Sequence, residues 1–318
     1  MSATTPRLSV VVNFHDMRRE AARTLHTLSP DYQRGVDAVD YEVLAVENGS
    51  SAPLDPADVI VHGPNFHYLR IERGGPSPCA AINHAAATAR GQWLMVCIDG
   101  ARMLSPGLLH HALAALASHH RPFVYTLGMH LGPKPQNESM EDGYDQRVED
   151  ALLESIDWRG QGYRLFRASS VAYSSHNGFF SRLSESNCFA LRREDYRALG
   201  GLDERFDSPG GGLANLDFFN RAHALPGVEP VMLLGEATFH QFHGGVATNV
   251  PRAEHPWPRM AAEYERIRGR AFASDPPLPE YQGWLSPEYH AGLAVLGDGS
   301  CDNGGSATQG NRPRSSAG

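Results

Sequence analysis

The sequence predicts an α/β protein with a mostly parallel sheet flanked by helices. The alternation of strand and helix signals predicts this class, and the length and composition agree with it. Short apolar runs rich in β-branched residues alternate with alanine-rich or amphipathic stretches through the first 130 residues, and such alternation is typical of parallel strands joined by right-handed helical crossovers. The chain of 318 residues is 41% hydrophobic and contains 32 glycines and 22 prolines. It is therefore long enough to bury a large core, and it is rich in loops.

The elements of the first half follow in order. Residues 8–14, LSVVVNF, predict a buried strand because they form a short β-branched run. Apolar residues three or four apart over 17–28 predict the first helix, and the alanine-rich stretch 79–90 predicts another. Ser105 and Pro106 predict the start of a third helix, as its N-cap and its first helical residue. The remaining strands are predicted at 41–46, 66–71, 92–98 and 122–127.

The second half is less regular. Residues 137–157 contain eight acidic residues against one arginine, which predicts a solvated loop or helix face. Residues 187–201 predict a strand, a short helix and a glycine stop. The Gly-, Ser- and Asn-rich segment 297–318 is predicted to be disordered. The other predicted elements are a helix at 213–225, strands at 228–234 and 235–242, and a helix at 259–272.

Composition and charge argue against several classes of function. The formal net charge of −8 provides no basic surface for nucleic acid or an anionic membrane. No apolar run approaches the ~20 residues of a transmembrane helix, and the N-terminus lacks the pattern of a signal peptide. The four cysteines contain no C-x-x-C pair, which argues against a thiolate zinc site. We therefore expect a cytoplasmic protein with reduced thiols, no nucleic-acid partner and no integral membrane segment.

Polar side chains cluster where several predicted strands end. His15 follows the first strand, Glu47 and Asn48 end the second, and Asp99 follows the buried run 93–98. The carboxyl ends of parallel strands meet at one edge of a sheet, and α/β proteins bind ligands there. We therefore expect these side chains to share one ligand site.

Five segments also carry a resemblance to a known family. They are LSVVVNFHDMRRE at 8–20, VENGSS at 46–51, INHAAATARGQWLMVCIDGARMLSPG at 82–107, ALGGLDERFDSPGGGLANLDFFNRA at 198–222 and FHQFHGG at 239–245. In this order they resemble the inverting, nucleotide-sugar-dependent glycosyltransferases of family 2, which have the GT-A fold. The resemblance implies a GT-A-like, Rossmann-related sheet. Its parts would be a nucleotide-sugar-binding half at 1–130, an acceptor-binding and catalytic half at 131–250 and a C-terminal extension at 251–296.

The resemblance implies that Asp99 binds the ribose of the donor and a divalent cation, Mg²⁺ or Mn²⁺, that bridges the diphosphate. These ions prefer hard oxygen ligands. The usual second acid falls at Ala101, which cannot coordinate a metal, so three interpretations stay open. The metal binds through Asp99, histidine and the diphosphate, or Arg102 neutralises the diphosphate instead, or the chain is an inactive relative. A turn capped by Asp99 is the alternative without a ligand.

Two histidines of the last segment are candidate metal ligands. His243, beside Gly244 and Gly245, is preferred and His240 comes second, because imidazole binds borderline divalent metals. Residues three apart on a strand point to opposite faces. Only one of the two is therefore expected to reach the site, unless the strand ends between them.

Four residues are assigned to the nucleotide sugar. His15 is assigned by its place at a strand end, whereas Glu47 and Asn48 occupy the family's base-binding segment and Asn83 occupies a helix position that the family places near the nucleotide. An Asn-Gly turn would explain Asn48 without a ligand. Asn83 could equally be an exposed polar residue of an alanine-rich helix.

An inverting transfer needs a base that takes the proton of the acceptor hydroxyl. When the family's E-D-x-D-L-x-x-R segment is aligned on Arg221, its usual base falls at Asn215, which cannot act as a base. We therefore expect Asp217 to be the base and keep Glu185 as the reserve candidate. The alternative for Asp217 is an ion pair with Arg221, four residues further along a helix.

The leading hypothesis is a glycosyltransferase that uses a nucleoside-diphosphate sugar and a small-molecule or glycan acceptor. Gly210, Gly211 and Gly212 would border the acceptor, or would be a flexible connector. A non-catalytic protein that binds sugar nucleotides or glycans is the alternative, favoured by Ala101 and Asn215. A nucleotidyltransferase is disfavoured, because the segment after the first strand lacks the glycines and lysine of a phosphate loop.

Overall fold

The computed structural model describes residues 5–72, 74–176 and 178–289. Its strands are β1 (Leu8–Phe14), β2 (Tyr41–Asn48), β3 (Phe66–Ile71), β4 (Trp93–Cys97), β5 (Arg102–Leu104), β6 (Pro122–Leu131), β7 (Ser169–Val171), β8 (Cys188–Arg192), β9 (Glu229–His240) and β10 (Glu280–Gly283). Its α-helices are α1 (Arg18–Thr27), α2 (Pro56–Ile60), α3 (Cys79–Thr88), α4 (Leu108–Ser118), α5 (Gln136–Ser139), α6 (Gln146–Glu154), α7 (Arg193–Ala198), α8 (Ala214–His223) and α9 (Trp257–Arg268).

The strands form one sheet in the order β10-β9-β6-β8-β4-β1-β2-β3, with β5 paired to β9 and β7 paired to β6. Along the main order every strand except β8 runs in the same direction. The predicted α/β class, with a mostly parallel sheet flanked by helices, is therefore confirmed. The carboxyl ends of β1, β2, β4, β6 and β9 consequently meet at one edge of the sheet.

The core consists of two apolar clusters that share the sheet. Alternate residues of β1 belong to different clusters: Val11 lies in one, and Val10 and Val12 lie in the other. This is the two-residue period of a strand covered on both faces. One cluster contains residues of α1 and α4, and the other contains residues of α3 and α8. The strands are thereby held rigidly, and so are the residues at their ends.

Three predicted boundaries are corrected. The two strands predicted at 228–234 and 235–242 are one strand, β9, whose pairing with β6 jumps from Met232 to Ala237. Gly235, in the left-handed region with φ of +79°, lies inside this irregularity. The helix expected at Ser105 and Pro106 begins at Leu108 instead. The last predicted helix, 259–272, is α9 and starts two residues earlier.

Two interactions explain why α4 does not start at Ser105 and why the acidic stretch is partly buried. The Ser105 hydroxyl does not cap α4, because it donates to the carboxylate of Glu236, which is fully buried. The acidic stretch 137–157 is not simply solvated, because Glu149 is completely buried and accepts from the Phe242 amide at 2.7 Å. Arg19 and Arg23 lie 3.4 and 3.5 Å from the same carboxylate. A buried acid is tolerated when it is paired and hydrogen-bonded in this way.

Several other expectations can be followed in the described residues. Cys79, Cys97 and Cys188, the cysteines for which reduced thiols were expected, are free and buried among the described residues. Within 5–72, 74–176 and 178–289, no helix combines the length and the hydrophobicity that a membrane span requires. The segment 297–318, predicted to be disordered, lies outside the described residues, as does the fourth cysteine, Cys301.

Candidate functional site

A cleft of about 830 Å³ lies where the carboxyl ends of the parallel strands meet. Asn13 and His15 line it from the end of β1, Asn48 lines it from β2, and Asp99 lines it after β4. The second half of the chain contributes His240 and several loops. A volume of this size lies within the range of about 300 to 1,000 Å³ that is typical of ligand sites.

Three potential metal ligands meet in this cleft. The Nε2 atom of His240 lies 3.0 Å from Oδ2 of Asp99. The Nε2 atom of His243 lies 3.8 Å from the same oxygen and 3.2 Å from Nε2 of His240. Strand β9 ends at His240, so the chain turns between the two histidines and both reach the site. The strand therefore ends between the two histidines, which is the condition under which both were expected to reach the site.

The hydrogen bonds of Gln136 fix the proton on His240. The Gln136 amide group donates from Nε2 to the carbonyls of His240, at 2.9 Å, and Leu131, at 3.4 Å. Its Oε1 therefore accepts from Nδ1 of His240 at 2.8 Å. Since Nδ1 carries the proton, Nε2 of neutral His240 presents a lone pair towards Asp99.

The charge states of these groups suit a cation. Burial lowers the pKa of His240 to about 4, although Asp99 opposes the shift, so the imidazole is neutral at pH 7. Burial alone would raise the pKa of Asp99, but His243 and Arg102 hold it well below its ordinary value. An ionised carboxylate and a neutral imidazole therefore present lone pairs to each other 3.0 Å apart.

A divalent cation fits this arrangement. Neighbouring ligands of an octahedral ion with bonds of about 2.1 Å lie about 3 Å apart, close to the two shorter separations in the cluster. The donor set of one carboxylate and two imidazoles contains more nitrogen than Mg²⁺ prefers, so it suits a divalent transition-metal ion better. Asp99, His240 and His243 therefore form a possible metal-binding triad, and Ala101 contributes its amide, which donates to Oδ1 of Asp99 at 2.9 Å.

A buried guanidinium lies directly beside the triad. Strand pairing sets Arg102 of β5 opposite His240 of β9, and Nε of Arg102 lies 3.6 Å from Oδ2 of Asp99. The arginine is only 4% exposed, and its Nε and Nη1 atoms have no hydrogen-bond partner within the described parts of the chain. Leaving buried donors unsatisfied is costly, so this side chain is suited to an anion that enters the cleft.

His130 was not foreseen from the sequence. It pairs with His240 in the register between β6 and β9, is almost fully buried and lines the cleft. Its Nδ1 accepts from the backbone N–H of Gln136 at 2.9 Å, so its Nε2 carries the proton and can donate. Burial lowers its pKa well below the usual value. The sequence signal was weak because the predicted strand stopped at residue 127, before His130.

Asn249 fixes the loop that carries His243. Its Oδ1 accepts from the amides of His243, Gly244 and Gly245 at 3.2, 3.0 and 2.9 Å. Its Nδ2 donates to Oε1 of Gln136 at 2.9 Å. Gln136 is thus connected to both histidines of the triad and to His130. No pattern of spacing in the sequence identifies Gln136 or Asn249, because the hydrogen bonds that connect Gln136 to His240 and to Asn249 join segments that are distant along the chain.

Glu185 and Asn215 form a second polar pair in the cleft. Both line it, and Nδ2 of Asn215 donates to Oε2 of Glu185. Asn215, which falls at the family's usual base position, therefore donates a hydrogen bond to Glu185, the reserve candidate for the base. Gly210, Gly211 and Gly212 also line the cleft and have φ of +73°, +84° and +53°. Such backbone angles favour glycine.

Two residues assigned to the nucleotide lie outside the cleft lining. Oε2 of Glu47 accepts from the Leu54 amide at 2.8 Å, and its Oε1 accepts from the hydroxyl and amide of Ser50. Asn83 donates to the Leu202 carbonyl at 2.8 Å and accepts from the Tyr196 hydroxyl at 2.7 Å. Both side chains therefore stabilise neighbouring protein segments, which corrects the expectation that they contact a nucleotide.

His15 and Asn48 line the cleft, and hydrogen bonds hold both residues in place. Nδ1 of His15 donates to the Asn48 carbonyl at 2.8 Å. The Asn48 amide group donates to the carbonyls of Gly75 and Ser77, both at 3.3 Å. His15 keeps Nε2 free of any hydrogen bond in the described residues, 3.8 Å from Asp16. Their assignment to a nucleotide remains a prediction.

Asp217 is paired rather than catalytic. Its Oδ1 accepts from Nε of Arg268 at 2.5 Å, and its Oδ2 accepts from Nη2 of Arg268 at 2.6 Å and from Nε of Arg221 at 2.7 Å. The carboxylate is 2% exposed and does not line the cleft. A base must reach the acceptor hydroxyl, so the ion-pair alternative replaces the expected role of Asp217.

Comparisons with known proteins give only distant structural matches. No family model matches the chain, and no curated protein matches it. Among solved structures, S. aureus TarS 1–349 in complex with UDP aligns at 14% identity and a TM-score of 0.49, over 74% of this chain and 60% of that chain. A structure of S. aureus TarS aligns at 14% identity and a TM-score of 0.49, over 75% of this chain and 37% of that chain. The chain thus spans 60% or less of both structures.

Replacing Gln136 by leucine is expected to weaken metal binding. The substitution leaves Nδ1–H of His240 unpaired and releases Asn249, so the triad loses its orientation. Loss of such a supporting hydrogen bond typically costs about 10- to 100-fold in metal affinity. Isothermal titration with Mn²⁺ measures this. Gln33→Leu is the matched control, because Gln33 is equally buried and donates to the Thr27 and Ser105 carbonyls. Equal Mn²⁺ affinities in the two variants would contradict the role.

Replacing Asp217 by asparagine is expected to lower stability and leave metal affinity unchanged. The variant removes the charge that pairs with Arg221 and Arg268. The expected loss is about 2 to 3 kcal/mol in the free energy of unfolding, below the range for a fully buried pair because both arginines are partly exposed. Urea denaturation and Mn²⁺ titration measure the two quantities. Unchanged stability together with lost turnover would return Asp217 to the role of base.

Proposed function

We propose that this protein is a glycosyltransferase that moves a sugar from a nucleoside-diphosphate sugar to an acceptor hydroxyl. The observation that carries the proposal is that a possible cation site, Asp99 with His240 and His243, lies beside the buried guanidinium of Arg102, whose Nε and Nη1 have no hydrogen-bond partner in the described residues. A diphosphate satisfies both, because its oxygens can bind a metal ion and also accept from a guanidinium. The resemblance of the sequence to family 2 enzymes supports a sugar nucleotide as its source.

Each group in the cleft has a role in this proposal. Asp99, His240 and His243 would hold Mn²⁺ or Mg²⁺, which when bound stabilises the negative charge of the departing diphosphate. Arg102 donates to the diphosphate oxygens from a position that is already desolvated, so its interaction is stronger than it would be in water. His130, whose Nε2–H can donate, adds a neutral hydrogen bond. His15 and Asn48, at the ends of β1 and β2, are the proposed contacts of the nucleoside.

Glu185 is the proposed catalytic base. Asn215 donates to its Oε2, which orients the carboxylate and leaves Oε1 to accept the proton of the acceptor hydroxyl. The acceptor oxygen then attacks the anomeric carbon while the bond to the diphosphate breaks. Attack from the side opposite the leaving group inverts the configuration at that carbon. This assignment explains how a chain with asparagine at the family's usual base position can be active.

Nucleotide-dependent turnover tests the proposal. Thermal shift is measured with UDP, GDP and TDP sugars with and without Mn²⁺, and nucleotide release is measured for each donor. We expect one donor to stabilise the protein in a metal-dependent way and to be slowly hydrolysed. Asp99→Ala should abolish both responses. Glu185→Gln should keep donor binding and lower the transfer rate about 10²- to 10⁴-fold, the usual contribution of a general base.

Glu154→Gln is the matched control for Glu185→Gln, because Glu154 is exposed on α6. It should transfer sugar at the wild-type rate. Donor binding without any hydrolysis or transfer by the wild-type protein would favour a non-catalytic binding protein. The observation that supports this alternative is Asn215, which stands at the family's usual base position and cannot act as a base. No response to any nucleotide or nucleotide sugar would overturn both functions.

Asn215→Asp separates the two possible positions of the base. The variant places two carboxylates in contact, and one of them then keeps its proton to higher pH. If Glu185 is the base, the rising limb of the pH–rate profile moves to higher pH and the rate at pH 7 falls. A rate at pH 7 above that of the wild type would instead show that a base acts from position 215. The measurement is transfer rate from pH 5 to pH 10.

A further inference from the structure

We infer that the acceptor carries its hydroxyl on a neutral ring with an apolar face, and that Trp257 is the surface on which this ring stacks. The inference rests on the proposed function and names the substrate class of the same cleft. Neither Trp257 nor the wall to which it belongs was singled out by the sequence.

The apolar wall of the cleft is continuous with the reacting groups. Val246 follows His243 by three residues, and a side chain placed at Gly210 would begin 3.1 Å from Val246. A side chain at Gly212 would begin 3.7 Å from Met260, which belongs to α9. The glycine loop therefore lies between the two apolar residues, and it precedes Asn215 by three positions. The lining residues of this wall are Leu213, Leu216, Val246, Ala247, Met260 and Phe272.

Trp257 is held rigidly at the end of this wall. It is the first residue of α9 and stands between Pro256 and Pro258, which restrict the backbone on both sides. Its ring meets Phe272 edge to face, with centroids 6.1 Å apart. Phe272 in turn packs on Tyr264 at 5.2 Å, and Tyr264 is buried. The indole nevertheless remains 44% exposed.

An exposed and rigid indole in a ligand cleft indicates a ligand that covers it. Holding a large aromatic side chain in water forfeits hydrophobic stabilisation that burial would give, and tryptophan provides a broad contact at little cost in conformational entropy. Its flat face matches the flat face of a ring better than an extended chain. The ring hydroxyl would then lie towards Glu185, at the other end of the glycine loop.

The charges of the cleft favour a neutral acceptor. Arg252, which also lines the cleft, already places its guanidinium 4.7 Å from the Tyr173 ring centroid and donates to the Tyr173 hydroxyl at 3.0 Å. Burial lowers the pKa of His255, so it is neutral at pH 7, and the Trp257 amide donates to its Nδ1 at 3.1 Å. Among the described residues beside the apolar wall, Arg252 is thus already paired and His255 is neutral, so neither favours a charged acceptor. A pyranose, a phenol and an alicyclic alcohol each carry a hydroxyl on a neutral ring with an apolar face, so all three fit this description.

The test compares Trp257→Ala with Trp284→Ala. Trp284 is the matched control, because it is also 44% exposed and packs on Tyr163 outside the cleft. Nucleotide release is first measured without acceptor, and Trp284→Ala should hydrolyse the donor as the wild type does. Methyl pyranosides, 4-methylumbelliferone and the open-chain alcohol ribitol are then added. We expect a ring acceptor, but not ribitol, to accelerate release, and whether the pyranosides or the phenol do so identifies the source of the ring.

Trp257→Ala should raise the KM for that ring acceptor by up to about tenfold, which corresponds to about 1.4 kcal/mol, the upper range for an aromatic contact. Trp257→Phe should restore most of the affinity, and Trp284→Ala should leave KM unchanged. Acceleration by ribitol alone, or equal KM values in the two alanine variants, would overturn the inference.

Tryptophan fluorescence separates this inference from the proposed function. The ring acceptors should quench the emission of the wild type and of Trp284→Ala, but not that of Trp257→Ala. If no donor is bound or hydrolysed, the proposed function fails while quenching still decides whether the wall binds a ring. Absence of quenching by every ring compound, in a protein that does hydrolyse a donor, would overturn the inference and leave the proposed function standing.

Discussion

The site depends on one buried amide, Gln136, that decides which nitrogen of His240 is free. The amide accepts from Nδ1 and donates to the carbonyl of the same residue, so the imidazole can neither rotate nor change its tautomer without losing a hydrogen bond. Nε2 is left facing the carboxylate of Asp99. Burial keeps the ring neutral. A lone pair, an ionised oxygen and a second imidazole are consequently present together before any ligand enters, which is how a preorganised site avoids a reorganisation cost.

The sequence predicted those parts of the site that follow from where strands end. Asp99 closes a strongly apolar run, and the carboxyl ends of parallel strands converge, so its place at the sheet edge needed no long-range information. The two histidines were identified from the resemblance of one short segment, and both reach the site because β9 ends at the first of them. Arg102 was one of the interpretations for the diphosphate because it belongs to the segment that contains Asp99 and a guanidinium suits phosphate oxygens. Each of these inferences used residues near one another along the chain.

The parts that could not be predicted depend on contacts between distant segments. Asp217 was expected to be the base from the resemblance of its segment to the family, whereas Arg268, 51 positions away, occupies its oxygens. Glu185 and Asn215 meet across 30 positions. Glu47 was misjudged for another reason, since its own loop folds back and supplies amide donors to the carboxylate. Strand β8 was predicted within residues 187–201, but its antiparallel direction left no trace in the apolar pattern, because its residues are covered on both faces.

The pairing of β5 with β9 has a consequence for the kind of donor that fits. Backbone hydrogen bonds set Arg102 opposite His240, so no change of rotamer can alter the distance between their two Cα atoms. A ligand must therefore match a spacing that the sheet dictates. Two linked phosphoryl groups can address the imidazole cluster and the guanidinium at once, whereas a single phosphoryl group has fewer oxygens to share between them. For the donor that we propose, the short strand β5 would thus make the cleft a selector of phosphate-chain length, independent of the base or sugar at either end.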